Sequence, residues 1–198
     1  MNLKDYVIRD IADVLQYLPQ AICIGIICII IYAFVLLIGR IFKLNISCRS
    51  CILHMLSCGL LVTYMYMLIM IVYYSREQGS RIGAVDLTLW STWGYTLQTH
   101  AYFIENIILF IPFGILFPMV FKNWIRWLTI PAGVFISAEI EYTQLVTQRG
   151  YCQIDDLVTN TFGTIVGFLI YFLLYFMFHF LSRPYLTGRD NDDRIEFH

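Results

Sequence analysis

Long uninterrupted runs of apolar residues dominate this chain and limit what it can fold into. Five such runs lie at about 21–39, 52–74, 102–121, 127–146 and 160–181. A helix needs about 20 mainly apolar residues to cross a hydrocarbon core roughly 30 Å thick, so each run is a candidate membrane span. The 59% hydrophobic content, 14% charged content and mean hydropathy of +0.69 fit this interpretation. We expect an all-α integral membrane bundle of about five transmembrane helices, with residues 1–198 forming a single domain.

The residues before the first run have a different pattern. Apolar side chains recur there at a helical period, from Leu3 through Val7 and Ile11 to Leu15, and Pro19 then interrupts. This spacing predicts a short amphipathic helix on the membrane surface, and a simple extension of the first span is the alternative. The net charge of −1 gives no reason to expect a nucleic-acid partner.

The distribution of basic residues predicts the orientation in the membrane. Arg40, Lys43 and Arg49 lie in the first loop, and Lys122 and Arg126 lie in the third, which faces the same side. Basic residues near span ends favour the cytoplasm, so we expect an extracytoplasmic N-terminus and a cytoplasmic C-terminus. The second loop (about 75–101) and the fourth (about 147–159) then face outward. The second loop suits either an aromatic anchor at the headgroups or a short strand, and the last residues, from Gly188, are expected to be disordered.

Polar residues of three spans gather on one side of the predicted bundle. They are Glu105 and Asn106 on the third span, Glu139, Glu141 and Gln144 on the fourth, and Asp155, Asp156 and Asn160 on the fifth. Helix order alone puts these residues on the same side. Charged groups at membrane depth are costly, so they are usually paired, face a cavity or carry function.

Helical spacing predicts which of these side chains point inward. Residues three or four apart share a helix face, so Ser137, Glu141 and Gln144 lie together while Glu139 points the other way. Glu141 is therefore a better candidate for an inward carboxylate than Glu139. Arg149, in the loop after this span, is placed to pair with Glu141 or with the acids of the next span.

Small residues and prolines shape the two neighbouring spans. On the fifth span, Gly163 and Gly167 follow Asp156 and Asn160 on one face and allow close approach of another helix. On the third span, Asn106 aligns with Gly114, and Pro112 and Pro118 are expected to kink the helix and free backbone carbonyls. The alternative to a binding or catalytic site is a purely structural one, in which these polar groups only hold three helices together.

The cysteines do not form a disulfide framework of the secreted kind. Cys48, Cys51 and His54 have a spacing faintly like that of a ligand set, but no clear fourth ligand follows. Ordinary apolar packing is the preferred interpretation, so no metal site is predicted, and the sequence does not tell whether the protein has a cofactor.

Two blocks of residues resemble the VanZ-like family of small membrane proteins. The first block is Asn106-Ile-Ile-Leu-Phe-Ile-Pro112-Phe-Gly114; the second is Ser137-x-x-x-Glu141-x-x-Gln144, then Arg149, then Asp155-Asp156-x-x-x-Asn160-x-x-Gly163-x-x-x-Gly167. The resemblance covers about 80–170. It implies a multi-pass protein of the bacterial cell membrane and a link to resistance against the glycopeptide teicoplanin, and it supplies no reaction.

Three functions agree with these observations. The preferred one is a non-enzymatic envelope protein whose outward cluster binds a lipid headgroup, a lipid-linked cell-wall precursor or a lipoglycopeptide. The second is a membrane enzyme acting on a lipid-linked substrate, with Glu141 and Asp156 as acid and base or as ligands of a divalent cation. The third is a small transporter. The sequence does not decide whether the protein is an enzyme.

Overall fold

Helices make up nearly all of the described chain. The computed structural model describes residues 2–42, 48–74, 85–91, 93, 96–150 and 152–187, with the backbone alone for 48–50 and 182–187. The helices within these ranges are α1 (Leu3–Leu15), α2 (Leu18–Ile41), α3 (Cys48–Ile69), α4 (Leu97–Val120), α5 (Thr129–Thr147) and α6 (Ile154–Thr187). A π-helical turn, Met70–Tyr74, extends α3, and a 3-10 helix, Asn123–Leu128, precedes α5. The predicted all-α membrane bundle is confirmed.

Four helices within the described ranges are long and apolar enough to cross a membrane. They are Leu18–Ile41, Cys51–Tyr74, Leu97–Val120 and Ile154–Leu181. The remaining predicted span, 127–146, corresponds to the end of the 3-10 helix and to α5, which has 19 residues and carries two carboxylates. The prediction of five spans is therefore approximate: four helices meet the length and hydropathy of a span, and α5 is shorter and more polar.

Helix directions explain why α5 belongs to the bundle. Gly163 of α6 faces Ile107 of α4, and Gly167 faces Ile111, so α4 and α6 run in the same direction. A chain that crosses twice in one direction has to return between the two crossings. The segment formed by the 3-10 helix and α5 makes this return, because α5 runs antiparallel to α6.

The contact between α4 and α6 depends on glycine. A Cβ atom on Gly163 would collide with the carbonyl oxygen of Ile107, and one on Gly167 would collide with that of Ile111. Gly114 of α4 lies against Gly167 in turn. The predicted close approach at these small residues is confirmed. Pro112 and Pro118 both lie inside α4, which continues past them to Val120.

The N-terminal residues form a helix of their own. Gln16 and Tyr17 separate α1 from α2, and α1 packs against α4. Ile8, Ile11 and Leu15 remain exposed on α1. The predicted amphipathic helix is confirmed, and its alternative, an extension of the first span, is wrong. Its position on a membrane surface stays a prediction.

His54 connects three helices at the end of the bundle where α4 ends. Its Nδ1 lies 2.9 Å from the hydroxyl of Tyr32 in α2, and its Nε2 lies 3.0 Å from the carbonyl oxygen of Val120 in α4. Both ring nitrogens are thus occupied within the protein. Cys48, which shares the sequence spacing with His54, has a side chain outside the described residues. No group of three or more metal-ligating side chains is placed to hold a metal within the described part.

Two other predictions concern segments that the structure describes in part or not at all. The C-terminal segment 188–198, expected to be disordered, lies outside the described residues. Residues 75–84 of the second loop also lie outside the described residues. The role of this loop as an aromatic anchor at the headgroups therefore stays a prediction. The described part of that loop contains the strand β1 (Val85–Asp86).

Candidate functional site

The second and fourth loops meet beside the helix ends that carry the polar residues. Strand β1 pairs in parallel with β2 (Cys152–Gln153), with Val85 opposite Cys152 and Asp86 opposite Gln153. The short strand expected in the second loop is therefore present, and its partner lies directly before α6. We call this end of the bundle, where α4 and α6 begin and α5 ends, the cluster side.

Glu141 is held inward by this strand pair. Its carboxylate Oε2 accepts a hydrogen bond from the backbone N–H of Gln153 over 2.8 Å, and the residue is only 6% exposed. Glu139, two residues earlier, is exposed. The expectation from helical spacing that Glu141 points inward and Glu139 outward is confirmed.

The two acids at the start of α6 contact different parts of the chain. Asp155 is buried, and its Oδ1 accepts a hydrogen bond from the backbone N–H of Trp90 over 2.7 Å. Asp156 accepts one at Oδ1 from Nδ2 of Asn106 in α4, over 2.8 Å. Both carboxylates lie in the first turn of α6, where the helix dipole favours negative charge. The second loop and α4 are thereby joined to α6.

Deeper in the bundle, Asn160 connects α6 to α5. Its Nδ2 donates to Oγ of Ser137 over 2.9 Å, and Ser137 is fully buried. The Oδ1 atom of Asn160, however, has no hydrogen-bond donor among the described residues, although the residue is only 4% exposed. Oε1 of Gln144 is in the same situation at 2% exposure. Within the described ranges, two buried amide oxygens therefore have no donor.

We call these residues together the polar cluster. It consists of Asn106, Ser137, Glu141, Gln144, Asp155, Asp156 and Asn160. Of the residues predicted for a site, these are the ones that the bundle brings together from three helices. The supporting residues Gly114, Gly163 and Gly167 allow α4 and α6 to approach closely below it.

Arg149 and Glu105 take positions that differ from those of the cluster. Nη1 of Arg149 donates to the carbonyl oxygen of Tyr73 over 2.7 Å, and the guanidinium lies 5.9 Å from the ring centre of Tyr74. The expected partners were the cluster acids; the described contacts of Arg149 are instead with the π-helical turn that extends α3. Glu105 lies near Arg9 and Asp10 of α1, and its Oε1 has no donor among the described residues.

The electrostatic field of the cluster acts on Cys152. Burial raises the pKa of this thiol above its usual range, and the negative charges of Glu141 and Asp156 raise it further. Glu141 binds the backbone N–H of Gln153, the residue after Cys152, and Asp156 follows in the first turn of α6. Because a deprotonated thiol is the reactive form, this residue reports on the charge of the cluster.

Sequence reasoning did not identify the backbone groups that complete the cluster. The N–H groups of Trp90 and Gln153 each bind a carboxylate, and neither depends on the side chain of its own residue. One signal is visible in the structure alone: Trp90 has a φ of 68°, an uncommon backbone conformation for a bulky residue. That conformation is part of the turn that presents its N–H to Asp155.

Long apolar helices around a buried polar cluster on one side define a multi-pass α-helical membrane protein. A family model described as VanZ/LLP1 matches residues 27–175. Since this match covers well over half of the chain, the protein belongs to the VanZ family. Neither a curated protein nor a solved structure matches the chain.

Proposed function

We propose that this VanZ-family protein binds a lipid headgroup, a lipid-linked cell-wall precursor or a lipoglycopeptide at its polar cluster. In this proposal it contributes to teicoplanin resistance in the bacterial envelope through binding. The support from the family is the membrane location and the phenotype associated with its namesake. The support from the chain itself is the chemistry of the cluster.

The observation that carries the proposal is the pair of buried amide oxygens on Gln144 and Asn160. A buried acceptor without a donor costs about 1–3 kcal/mol, and native proteins keep few of them. Glu141 adds a buried carboxylate on the same face of α5 as Gln144. A ligand that presents amide N–H, hydroxyl or ammonium groups would supply the donors that the described residues do not provide to these oxygens. Each of the three proposed ligand classes carries such groups.

The orientation in this proposal is an extracytoplasmic cluster and a cytoplasmic C-terminus. Arg40 lies near the end of α2, Lys122 follows α4, and Arg126 lies in the 3-10 helix. All three are at the end of the bundle opposite the cluster side. Cytoplasmic ends of spans are enriched in lysine and arginine, which supports an outward cluster.

Charge-removing variants with a matched control test the proposal. Asp156→Asn and Glu141→Gln remove one charge each within the cluster, and Asp13→Asn removes one from the exposed surface of α1. Binding of fluorescent teicoplanin to cells, teicoplanin susceptibility and membrane abundance are measured together. We expect both cluster variants to lose the phenotype at normal abundance, and Asp13→Asn to keep it. If both cluster variants accumulate normally and behave as wild type, the cluster is structural.

An enzyme acting on a lipid-linked substrate is the second candidate. Glu141 accepts a hydrogen bond from the backbone N–H of Gln153, and Asp156 follows in the first turn of α6, so two carboxylates border one region, as acid and base catalysis requires. In this case, incubation with the purified protein would change the mass of a lipid-linked cell-wall precursor. The Glu141→Gln variant would leave the mass of the precursor unchanged. A precursor that binds but keeps its mass favours the binding function.

A further inference from the structure

A groove on the membrane-facing side of the bundle lies apart from the polar cluster. It runs between α3, with its π-helical turn, and α5, and has a volume of about 150 Å³. One wall includes Met65, Ile69 and Val72, and the other includes Ile136 and Ile140. Engineered apolar cavities of about this size stay dry and bind small hydrocarbons. The lining of this groove therefore suits a hydrocarbon guest.

Helix packing explains why the groove exists. The lining residues of α3 and its extension recur three or four positions apart, as do Ile136 and Ile140, so each set forms one stripe on its helix. Both α3 and α5 pack against α4. Phe110 and Phe113 of α4 form a buried core with Val72 and Ile140 beneath the groove. The two walls thus stand on α4, and the groove between them stays partly open.

The α3 wall of the groove, from Met65 to Tyr73, is the terminal part of the candidate span Cys51–Tyr74. Because this helix is long and apolar enough to cross a membrane, an opening on its outer face meets lipid. A lipid acyl chain is therefore the hydrocarbon available to fill it.

Two residues of opposite charge lie in this groove or directly beside it. Glu139 lines it, and Arg149 donates to the carbonyl oxygen of Tyr73, which also lines it. Tyr73 lies in the π-helical turn Met70–Tyr74 that extends α3. A guanidinium has five N–H donors, and among the described residues Tyr73 accepts from one. The remaining N–H groups can bind phosphate oxygens.

We propose that the groove holds one acyl chain of a phospholipid whose headgroup carries both a phosphate and a primary ammonium, as in phosphatidylethanolamine. Arg149 binds the phosphate, and Glu139 accepts hydrogen bonds from the ammonium. Charge complementarity selects this headgroup, because a purely anionic one would leave the Glu139 carboxylate facing negative charge. Within the described part of the chain, Glu139 makes no hydrogen bond or ion pair with another residue. This site goes beyond the ligand binding proposed for the polar cluster.

Photocrosslinking in lipid nanodiscs tests the proposal on the full-length protein. Phospholipids with the same photoreactive acyl chain and an ethanolamine, choline or glycerol headgroup are added in trace amounts, and crosslinked peptides are identified by mass spectrometry. We expect crosslinks from the ethanolamine lipid to concentrate on Met65, Ile69 and Ile136 rather than on the exposed face of α2. Uniform labelling of all exposed apolar faces would overturn the proposal.

A matched pair of variants separates the groove from general lipid contact. Ile69 is 43% exposed within the groove, and Leu60, on the same helix but outside it, is 54% exposed. Ile69→Trp fills the groove and should reduce crosslinking on Ile136 about tenfold, which corresponds to a loss of about 1.4 kcal/mol of binding free energy. Leu60→Trp should leave it unchanged. Equal behaviour of the two variants contradicts a groove site.

Headgroup variants test the assigned roles of the two charges. Glu139→Gln should remove the preference for ethanolamine over glycerol lipid, and Arg149→Gln should lower crosslinking of all three lipids about tenfold, the effect of losing a charge-assisted hydrogen bond. A wild-type preference for the glycerol lipid, or displacement by a polyprenyl phosphate alone, would assign the groove to another occupant. Glu141→Gln should not change crosslinking, so failure here leaves the proposal for the polar cluster standing.

Discussion

Asn106 in α4 donates a hydrogen bond from Nδ2 to Oδ1 of Asp156 in the first turn of α6, over 2.8 Å. Fifty positions separate the two residues in the chain. The bond joins two parallel helices at the level where their glycine contact ends. Because the acceptor is a carboxylate, it is of the stronger, charge-assisted kind.

Replacing Asn106 by Leu should destabilise the bundle, although the two side chains are similar in size. Hydrogen bonds to charged groups contribute about 1.5–3 kcal/mol, so the free energy of unfolding should fall by about that amount. Unfolding in mixed detergent micelles measures it. The double variant with Asp156→Leu should cost less than the sum of the two single variants, since the pair is then removed as a unit. Additive costs would show that the two residues are not coupled.

Gly167→Ala should destabilise the protein although alanine is the better helix former. The added Cβ would collide with the carbonyl oxygen of Ile111 and lie 2.9 Å from Cα of Gly114. Backbone atoms cannot rotate away, so α4 and α6 must separate, at a cost of about 1–3 kcal/mol for overpacking. Thermal unfolding in detergent measures the loss.

Gly25→Ala is the control for this substitution. Its Cβ would collide with Oγ1 of Thr63, a side-chain atom, and would lie 3.0 Å from the carbonyl oxygen of Gly59. Since a threonine side chain can change rotamer, the loss should be smaller than for Gly167→Ala. A larger loss at Gly25 would mean that the α2–α3 contact, rather than the α4–α6 contact, limits stability.

Helical spacing was enough to predict much of the cluster. Ser137, Glu141 and Gln144 share a face because they are three or four positions apart, and all three are buried. Glu139 is exposed for the same reason. Gly163 and Gly167 could be assigned to a helix contact because small residues at this spacing have few other uses in a membrane. These features are local to one helix, where sequence periodicity determines direction.

Contacts made through loops could not be predicted in the same way. Asp155 binds the backbone N–H of Trp90, 65 positions away, in a turn with no periodic pattern. Arg149 lies close to Asp155 in sequence, yet its guanidinium reaches the carbonyl of Tyr73. Charge and sequence proximity favoured an acidic partner. A backbone carbonyl that accepts a side-chain hydrogen bond leaves no trace in side-chain composition.

His54→Phe should loosen the junction of α2, α3 and α4. The carbonyl of Val120 can only accept, so Nε2 of His54 carries the proton, and Nδ1 then accepts from the hydroxyl of Tyr32. Loss of both bonds should lower the free energy of unfolding by about 1–3 kcal/mol, and Tyr32→Phe, which removes one, by about 0.5–1.5 kcal/mol.

The two hydrogen bonds of His54 also predict that it is a structural residue rather than a metal ligand. Because both nitrogens of His54 are already bonded within the protein, adding Zn²⁺ or a chelator should not change the melting temperature. Stabilisation by Zn²⁺ that disappears in His54→Phe would contradict this assignment. The ligand binding proposed for the polar cluster should be the same per folded molecule in His54→Phe and Tyr32→Phe as in wild type, since the junction lies at the opposite end of the bundle.

The reactivity of Cys152 should report both the charge of the polar cluster and the side on which it lies. In a variant that keeps Cys152 as its only cysteine, the raised pKa predicts slow maleimide labelling at neutral pH and a steep increase as pH rises toward that pKa. Glu141→Gln removes a negative charge, so the pKa should fall and labelling at neutral pH should accelerate. Glu139→Gln, which removes an equal charge from the other face of α5, should have little effect. With a membrane-impermeant maleimide on intact cells, Cys152 should react, and Lys122→Cys in a background without any other cysteine should not; the reverse pattern would contradict the outward orientation of the cluster.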